Sequence, residues 1–505
     1  RVRSATVVRS RLSRAILVLH RYLGVLVGVL MTVWCLSGFV MMYQGYPSVT
    51  EDEHRASLRT LDLSGPLALA DLPIDGEEEV RRFRLEMLQD TPVLRLGGGR
   101  GEGPAAYDLR TGGQVAELSP DEVLAVARQF AAGNGLDASR AAQPQLMDSL
   151  DQWTIQSFRS AQPLYRVALG DGAGSVLYVS GASGTVVQDT NRKERVLNWL
   201  GAIPHWLYPT VLRENGPLWT EVVIWTSVIG TFLTVTGLYV GIGRFTRRNG
   251  RISPYRGLWY WHHMLGLALG LITLTWVFSG LMTMNPWGML SGRPNELRQE
   301  ISGTATWAQA RDLIEQAGRN GLPEGTVQLR PTVLGGQLYA LAQAPDGSTV
   351  RLDGQGRPAQ LAQTEVRDAL DGLPIARFEH MTGEDAYYYS FKERKAPPAY
   401  RAILDDEQRT RIYIDASTGE ISRIVDDAAR QSRWLRNGLH SLDFIRGRPL
   451  WDILTLILLA GVTAVCATGA WMSIRRVGRD YKMFRRRLRK AKPLIPAARG
   501  EMANR

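Results

Sequence analysis

Two cysteines and seven histidines are few for 505 residues, and each scarcity closes off a class of chemistry. Cys35 and Cys466 both fall inside long apolar runs, where a thiol reads as a small packing residue and not as half of a disulfide or metal pair. The polar stretches between the runs hold no cysteine, so whatever they fold into relies on its own hydrophobic core. There is no His-Glu-x-x-His, no histidine-rich tract and no cysteine or carboxylate cluster beside His20, His205, His262 or His440, which argues against zinc and copper. No nucleophile stands with an acid/base partner. The glycine run at 97–103 lies in a hairpin-like stretch with no helix after it, the wrong setting for a dinucleotide loop. Charge within the apolar runs is scarce apart from Glu221 and edge positions, which disfavours a transporter.

What is present is apolar length. Four runs exceed the roughly 18 apolar residues that cross a bilayer. They divide the chain into a basic N-terminus (1–14), a first span (15–43), a long polar segment (44–217), a second span (218–243), a basic link (244–257), a third span (258–284), a second polar segment (285–449), a fourth span (450–474) and a basic tail (475–505). The first run is too long and too uniformly apolar for a signal peptide, and no small-residue cleavage site follows, so it reads as an anchor. Arg1, Arg3, Arg9, Arg11, Arg14 and Arg21 precede or open the first span, and Arg244, Arg247, Arg248, Arg251 and Arg256 fill the link. A third basic cluster, centred on Arg485, Arg486 and Arg487 and reaching Lys492, follows the fourth span. All three fall on one side, which the positive-inside rule makes the cytoplasm. The sequence therefore predicts a multi-pass protein of a bacterial inner membrane, with both termini cytoplasmic and both long segments outside. The basic edges suit anionic lipid of the bilayer and give no reason to expect nucleic acid.

The chain also resembles itself. At a shift of 242 places, Leu19 to Gly38 aligns with Trp261 to Gly280 without a gap, pairing His20 with His262, Gly24 with Gly266, Gly28 with Gly270, Trp34 with Trp276 and Ser37-Gly38 with Ser279-Gly280. At a shift of 235, Pro163 to His205 aligns with Pro398 to His440, pairing Trp199 with Trp434 and His205 with His440. Three residues are then lost, and Thr236-Gly237 falls on Thr468-Gly469. Each half reads as span, outer module, span, which predicts four transmembrane α-helices in two parallel repeats about an axis along the membrane normal. The outer modules read as α+β. Helices are expected at 119–133, opened by Ser119-Pro120-Asp121-Glu122, and at 306–318. Four hairpins with glycine turns are expected around them, at 105–118, 175–189, 349–361 and 411–424.

Four of the seven histidines, His20, His205, His262 and His440, sit at duplicated positions. A single histidine near a span is ordinarily a satisfied polar residue; recurrence in matching apolar surroundings argues for function. His20 and His262 open the first and third spans, and His205 and His440 precede the second and fourth, so two pairs are expected, one per membrane face. Opposed neutral imidazoles in a dry bundle suit the axial positions of a haem. Pairing within one half, His20 with His205, is opposed by span length. At about 100° per residue, Gly24, Gly28, Trp34 and Gly38 lie within roughly 80° of His20 around a helix, a face open to a flat macrocycle or to a neighbouring helix. Trp34 and Trp276 stand between the two levels or merely fill the core. His263 is the second candidate for the place of His262, which alone keeps the His-x-x-x-Gly spacing. His54 and His380 fall outside the duplication and read as surface residues.

Three features now resemble the PepSY-associated transmembrane helix family: the span start His20-Arg21-Tyr22-Leu23-Gly24, the turn Tyr413-Ile414-Asp415-Ala416-Ser417-Thr418-Gly419-Glu420, and a Trp-x5-His stretch before a closing span. The resemblance covers nearly the whole chain. It implies PepSY-like outer domains, two haem b groups held through His20, His262, His205 and His440, and similarity to iron-regulated dihaem ferric-siderophore reductases. The implied partners are a ferric siderophore or other ferric chelate outside and a quinol or flavoprotein reductase as electron donor. The first copy departs from the pattern, with Ser180-Gly181-Ala182-Ser183-Gly184 in place of the Asp turn, and reads as structural. Tyr387-Tyr388-Tyr389 and the stretch from Lys392 to Lys395 are expected to face outward, as an edge strand or a chelate contact. A reading of a different class is a non-redox module that binds peptide or regulates a protease outside, with the helices as anchors.

Overall fold

The computed structural model describes residues 2–80, 82–97, 105–245, 252–292, 294–390, 398–445 and 447–490. The glycines of 98–103, the stretch from Lys392 to Lys395, and Arg1, Arg247, Arg248, Arg251 and Lys492 lie outside the described residues. In chain order, α1 (Val2–Met41) and α2 (Glu51–Ala56) precede β1 (Phe83–Leu88), β2 (Thr91–Leu96), β3 (Ala105–Asp108) and α3 (Pro120–Gly133). Next come β4 (Gln145–Leu146), β5 (Leu164–Ala168), β6 (Val176–Ser180), β7 (Thr185–Thr190), α4 (Arg192–Leu200), α5 (Ala202–His205), α6 (Thr210–Arg213) and α7 (Gly216–Arg244). After α8 (Leu258–Thr283), α9 (Pro294–Ser302) and α10 (Trp307–Asn320) lie β8 (Gln328–Leu334), β9 (Gln337–Gln343), β10 (Thr349–Leu352) and α11 (Gln363–Ala369). The chain ends with β11 (Ile375–Met381), β12 (Ala399–Leu404), β13 (Arg411–Asp415), β14 (Ile421–Val425), α12 (Asp427–Ser432), a π-helical turn (Arg433–Gly438), α13 (Leu439–Ser441) and α14 (Arg448–Lys490). These elements form two compact units, one of residues 1–39, 220–284 and 449–505, the other of residues 40–219 and 285–448.

The first unit consists of α1, α7, α8 and α14, which among the described residues are the four helices long and apolar enough to cross a membrane. Leu26, Phe232, Leu271 and Ile457 are exposed on their outer faces, where lipid would cover them. Inside, Val27, Met31, Leu233, Val462 and Cys466 pack with Cys35, Trp34 and Trp276, and neither thiol is in a disulfide. Lipid gives no hydrophobic push between helices, and close backbone approach takes its place. A Cβ on Gly28 would lie 3.4 Å from that of Ala470, and one on Gly270 would lie 2.5 Å from the Leu238 side chain. Glu221, an acid inside α7, accepts from Trp225 Nε1 at 3.0 Å.

The second unit holds three sheets ordered β10-β9-β8-β1-β2-β3, β4-β5-β6-β7 and β11-β12-β13-β14. Both anticipated helices form. Ser119 caps α3 with a reciprocal bond from Glu122, Thr306 caps α10 with Gln309, and each cap satisfies backbone donors that the first helical turn leaves open. α3 lays Val123, Ala127 and Phe130 on Val167, Leu177 and Val179; α10 lays Trp307, Leu313 and Ile314 on Leu85 and Leu329. Two of the four expected hairpins form fully, β6–β7 and β13–β14. The others shrink to the single bridges Tyr107–Gln114 and Leu352–Pro358, the latter at a proline with no N–H to extend the ladder. Gly184 and Gly419 close the two full hairpins at φ +63° and +78°, a conformation glycine adopts without strain. The serine-rich first copy therefore makes the same turn as Asp415, whose Oδ1 accepts from the backbone N–H groups of Ser417 and Thr418.

Strand pairing departs from the sequence division. β1 of the first polar segment pairs with β8 of the second through Leu85 and Leu329, so the two segments share one sheet. At this seam Glu86 is fully buried and accepts from His54 Nε2 at 2.9 Å, Arg95 Nε at 2.9 Å and Gln328 Nε2 at 2.6 Å. Burial would raise its pKa, but these donors and the Arg95 charge outweigh that and hold it far below the usual carboxylate range. His54 is thus a buried structural residue, not a surface one; only the exposed His380, its ring tilted at 40° to that of Tyr400 with centroids 5.0 Å apart, fits the surface reading.

Asp189, near the end of β7, shows the opposite balance. Burial, with repulsion from Glu53 and Glu194, raises it from 3.8 to about 7. A raised carboxyl favours the folded state fully below the unfolded value, and that advantage is lost as pH rises through the folded one. The chain is therefore expected to lose stability between pH 4 and 7, by about 4 kcal/mol at most. Asp189→Asn should flatten that part of the curve, as measured by denaturant midpoints across pH; an unchanged slope counts against it.

Candidate functional site

His20 lies on α1 facing α7, and its Nδ1 is 3.1 Å from the Leu233 carbonyl oxygen and 3.3 Å from Thr236 Oγ1. His262 lies on α8 facing α14, with Nδ1 at 3.1 Å from the Val465 carbonyl oxygen and 3.1 Å from Thr468 Oγ1. A carbonyl oxygen can only accept, so in both rings Nδ1 carries the proton and Nε2 is left with its lone pair. That tautomer is the one a metal-binding imidazole needs, and its backbone partner fixes the ring's orientation. The residue after each threonine completes the arrangement. A Cβ on Gly237 would stand 2.7 Å from Cε1 of His20, and one on Gly469 would stand 2.8 Å from Cε1 of His262. Threonine therefore helps hold the ring while glycine makes room for it.

Both histidines border one cavity inside the bundle, with Gly24, Gly28, Gly266 and Gly270 also on its wall. The rest of its wall is largely apolar, the character of a site for a flat apolar ligand. The glycines divide between the two roles open to them. A Cβ on Gly266 would meet nothing within 4 Å, whereas one on Gly24 would stand 2.8 Å from Ser473 Oγ, so Gly24 and Gly28 also let α14 approach α1. His263 is adjacent to His262 but differently engaged. Its Nδ1 lies 2.8 Å from Ser253 Oγ and its Nε2 lies 2.8 Å from the Gly241 carbonyl oxygen. Both of its nitrogens are thus engaged in hydrogen bonds within the protein.

The other two histidines meet in the second unit. His205 ends α5 and His440 lies in α13, with ring centroids 6.3 Å apart and planes at 64°. Imidazoles on opposite sides of one metal, each bonded at about 2 Å, have ring centres about 6 Å apart. The separation suits such a pair, and rotation about the metal–nitrogen bonds leaves the interplanar angle free. The segment carrying His440 is fixed by a buried ion pair, Arg433 to Asp443 at 2.8 Å. Tyr389 donates its hydroxyl proton to the same aspartate.

Residues 17–476, all four histidines among them, match the family model of the PepSY-associated TM region. The chain belongs to this family. No curated protein matches it.

In this PepSY-associated chain the sequence reading missed the groups that orient the histidines. Thr236-Gly237 and Thr468-Gly469 were visible as a duplicated pair inside apolar spans, and a hydroxyl beside a missing side chain in both halves is the signal that could have marked them as histidine partners. Arg433 and Asp443 carried no such signal. The tyrosines at 387–389 do not face outward as expected. Tyr388 is buried and stacked on Tyr413 at 5.0 Å, because Asp385 turns the chain inward by accepting from the backbone N–H groups of Tyr387 and Tyr388. Asp385 also accepts from Tyr413 at 2.7 Å; burial and that bond raise the tyrosine to about 12.

Proposed function

We propose that this chain is a dihaem electron carrier of a bacterial inner membrane, passing electrons from quinol or a cytoplasmic flavoprotein to a ferric siderophore or similar ferric chelate outside. The observation that carries the reading is the common tautomer of His20 and His262 at one cavity, Nδ1 bonded to backbone and Nε2 left as the ligand atom. His20 and His262 would hold one haem b and His205 and His440 the other. Haem b supplies a one-electron couple whose potential depends on its axial ligands and its burial. The protein's own part is positional: Thr236 and Thr468 aim the rings, the carbonyl bonds raise imidazole basicity, and the apolar wall keeps water from the cavity. The ferric chelate is the substrate, and no nucleophile or acid/base pair is needed. The matching bonds of the two histidines support the parallel-repeat reading, and the basic edges of the spans support cytoplasmic termini.

The test is a reduced-minus-oxidised absorbance spectrum of the purified protein with haem quantified as pyridine haemochrome. A b-type spectrum with about two haems per chain is expected. No haem after expression with ample haem would overturn the proposal and favour an anchored, non-redox binding module.

A further inference from the structure

The cavity wall contains one charged side chain. Arg21 follows His20 on α1 and lines the same space, and among the described lining residues there is no aspartate or glutamate. α1 itself contains no acidic residue. The remaining lining is apolar, glycine, hydroxyl or imidazole, and an arginine within a span ordinarily has a partner or a task. The position in α8 that corresponds to Arg21 by the 242-residue shift is His263, and its nitrogens are taken by Ser253 and Gly241. The cavity thus carries its positive charge on one wall only.

We infer that Arg21 binds a carboxylate of the cavity's ligand. This inference rests on the haem reading, and within it the carboxylate is a haem propionate. Haem matches such a lining: a flat apolar body for the glycine faces and an anionic edge for a single cation. A guanidinium answers a carboxylate with paired, charge-assisted hydrogen bonds. Arg21 therefore selects the acid form of the ligand and directs its anionic edge to the end of the bundle where α1 enters. The competing use of Arg21, reaching out to a lipid phosphate, makes no distinction between haem and an uncharged analogue.

The experiment compares haem with haem dimethyl ester in the full-length chain, depleted of haem and reloaded in detergent, followed by absorbance. The unsubstituted chain should take haem over the ester by about tenfold or more at the site that requires His20. Arg21→Gln should lose that preference and Arg21→Lys should keep part of it, while the site that requires His205 and His440 stays loaded and reports an intact fold. Equal uptake of haem and ester by the unsubstituted chain overturns the assignment, as does an Arg21→Gln chain that still discriminates. Should Arg21→Gln fail to fold, Arg21→Lys and the unsubstituted chain decide by the same comparison. A chain that takes up no haem overturns the proposed function together with this inference.

Discussion

His20→Ala is expected to lose one of two haems and keep the other, and His262→Ala is expected to give the same result, because both rings border one cavity. The two substitutions should leave the same residual spectrum, and the double variant should look like either single one. His205→Ala and His440→Ala should resemble each other in turn and remove the second haem, since these rings stand 6.3 Å apart. Quantified haemochrome across the four variants decides between pairings. If His20→Ala and His205→Ala removed the same haem, ligation would run within each half and the cavity assignment would fall. Stoichiometry should fall from about two to about one, since a low-spin haem depends on both axial ligands. His263→Ala should keep both haems, because each of its nitrogens already has a partner.

The second large effect concerns stability. Glu86→Ala removes the carboxylate that His54, Arg95 and Gln328 all address and leaves the largely buried Arg95 facing the seam of the six-stranded sheet with its carboxylate gone. Breaking a buried pair by deleting one partner destabilises by about 3–5 kcal/mol. The loss should be read from denaturant unfolding of the purified chain. Glu86→Gln, which keeps the shape and an acceptor oxygen, should lose less. An alanine variant as stable as the parent would mean that the Glu86 network contributes little to holding the seam.

Much of this was legible because it is local or repeated. The spans follow from apolar length, and α3 and α10 follow from their amphipathic pattern, α3 also from the capping residues Ser119 and Glu122. The four histidines stood out because the same residue recurred in the same apolar setting. What escaped depends on contacts between distant segments. Nothing near His54 indicates that Glu86 and Gln328 will close over it, and nothing near His263 indicates that Ser253 and Gly241 will take its nitrogens. The inward turn of the tyrosines at 387–389 depends on Asp385, whose role as an acceptor for two backbone groups emerges only once the loop has closed.

The β1–β8 pairing also sets an order of events during synthesis. Glu86 and Gln328 are 242 residues apart, so when β1 leaves the ribosome its neighbour does not yet exist. At translation rates of about 5–20 residues per second, the wait is roughly ten to fifty seconds. Two further helices must enter the bilayer in that time while a strand edge stays open and Glu86, already met by His54 and Arg95, still lacks its third donor, Gln328. Release of the first half alone, by truncation or premature termination, would leave that edge permanently open. The intact gene product is its own chaperone at this seam, with its second half arriving as the missing strand.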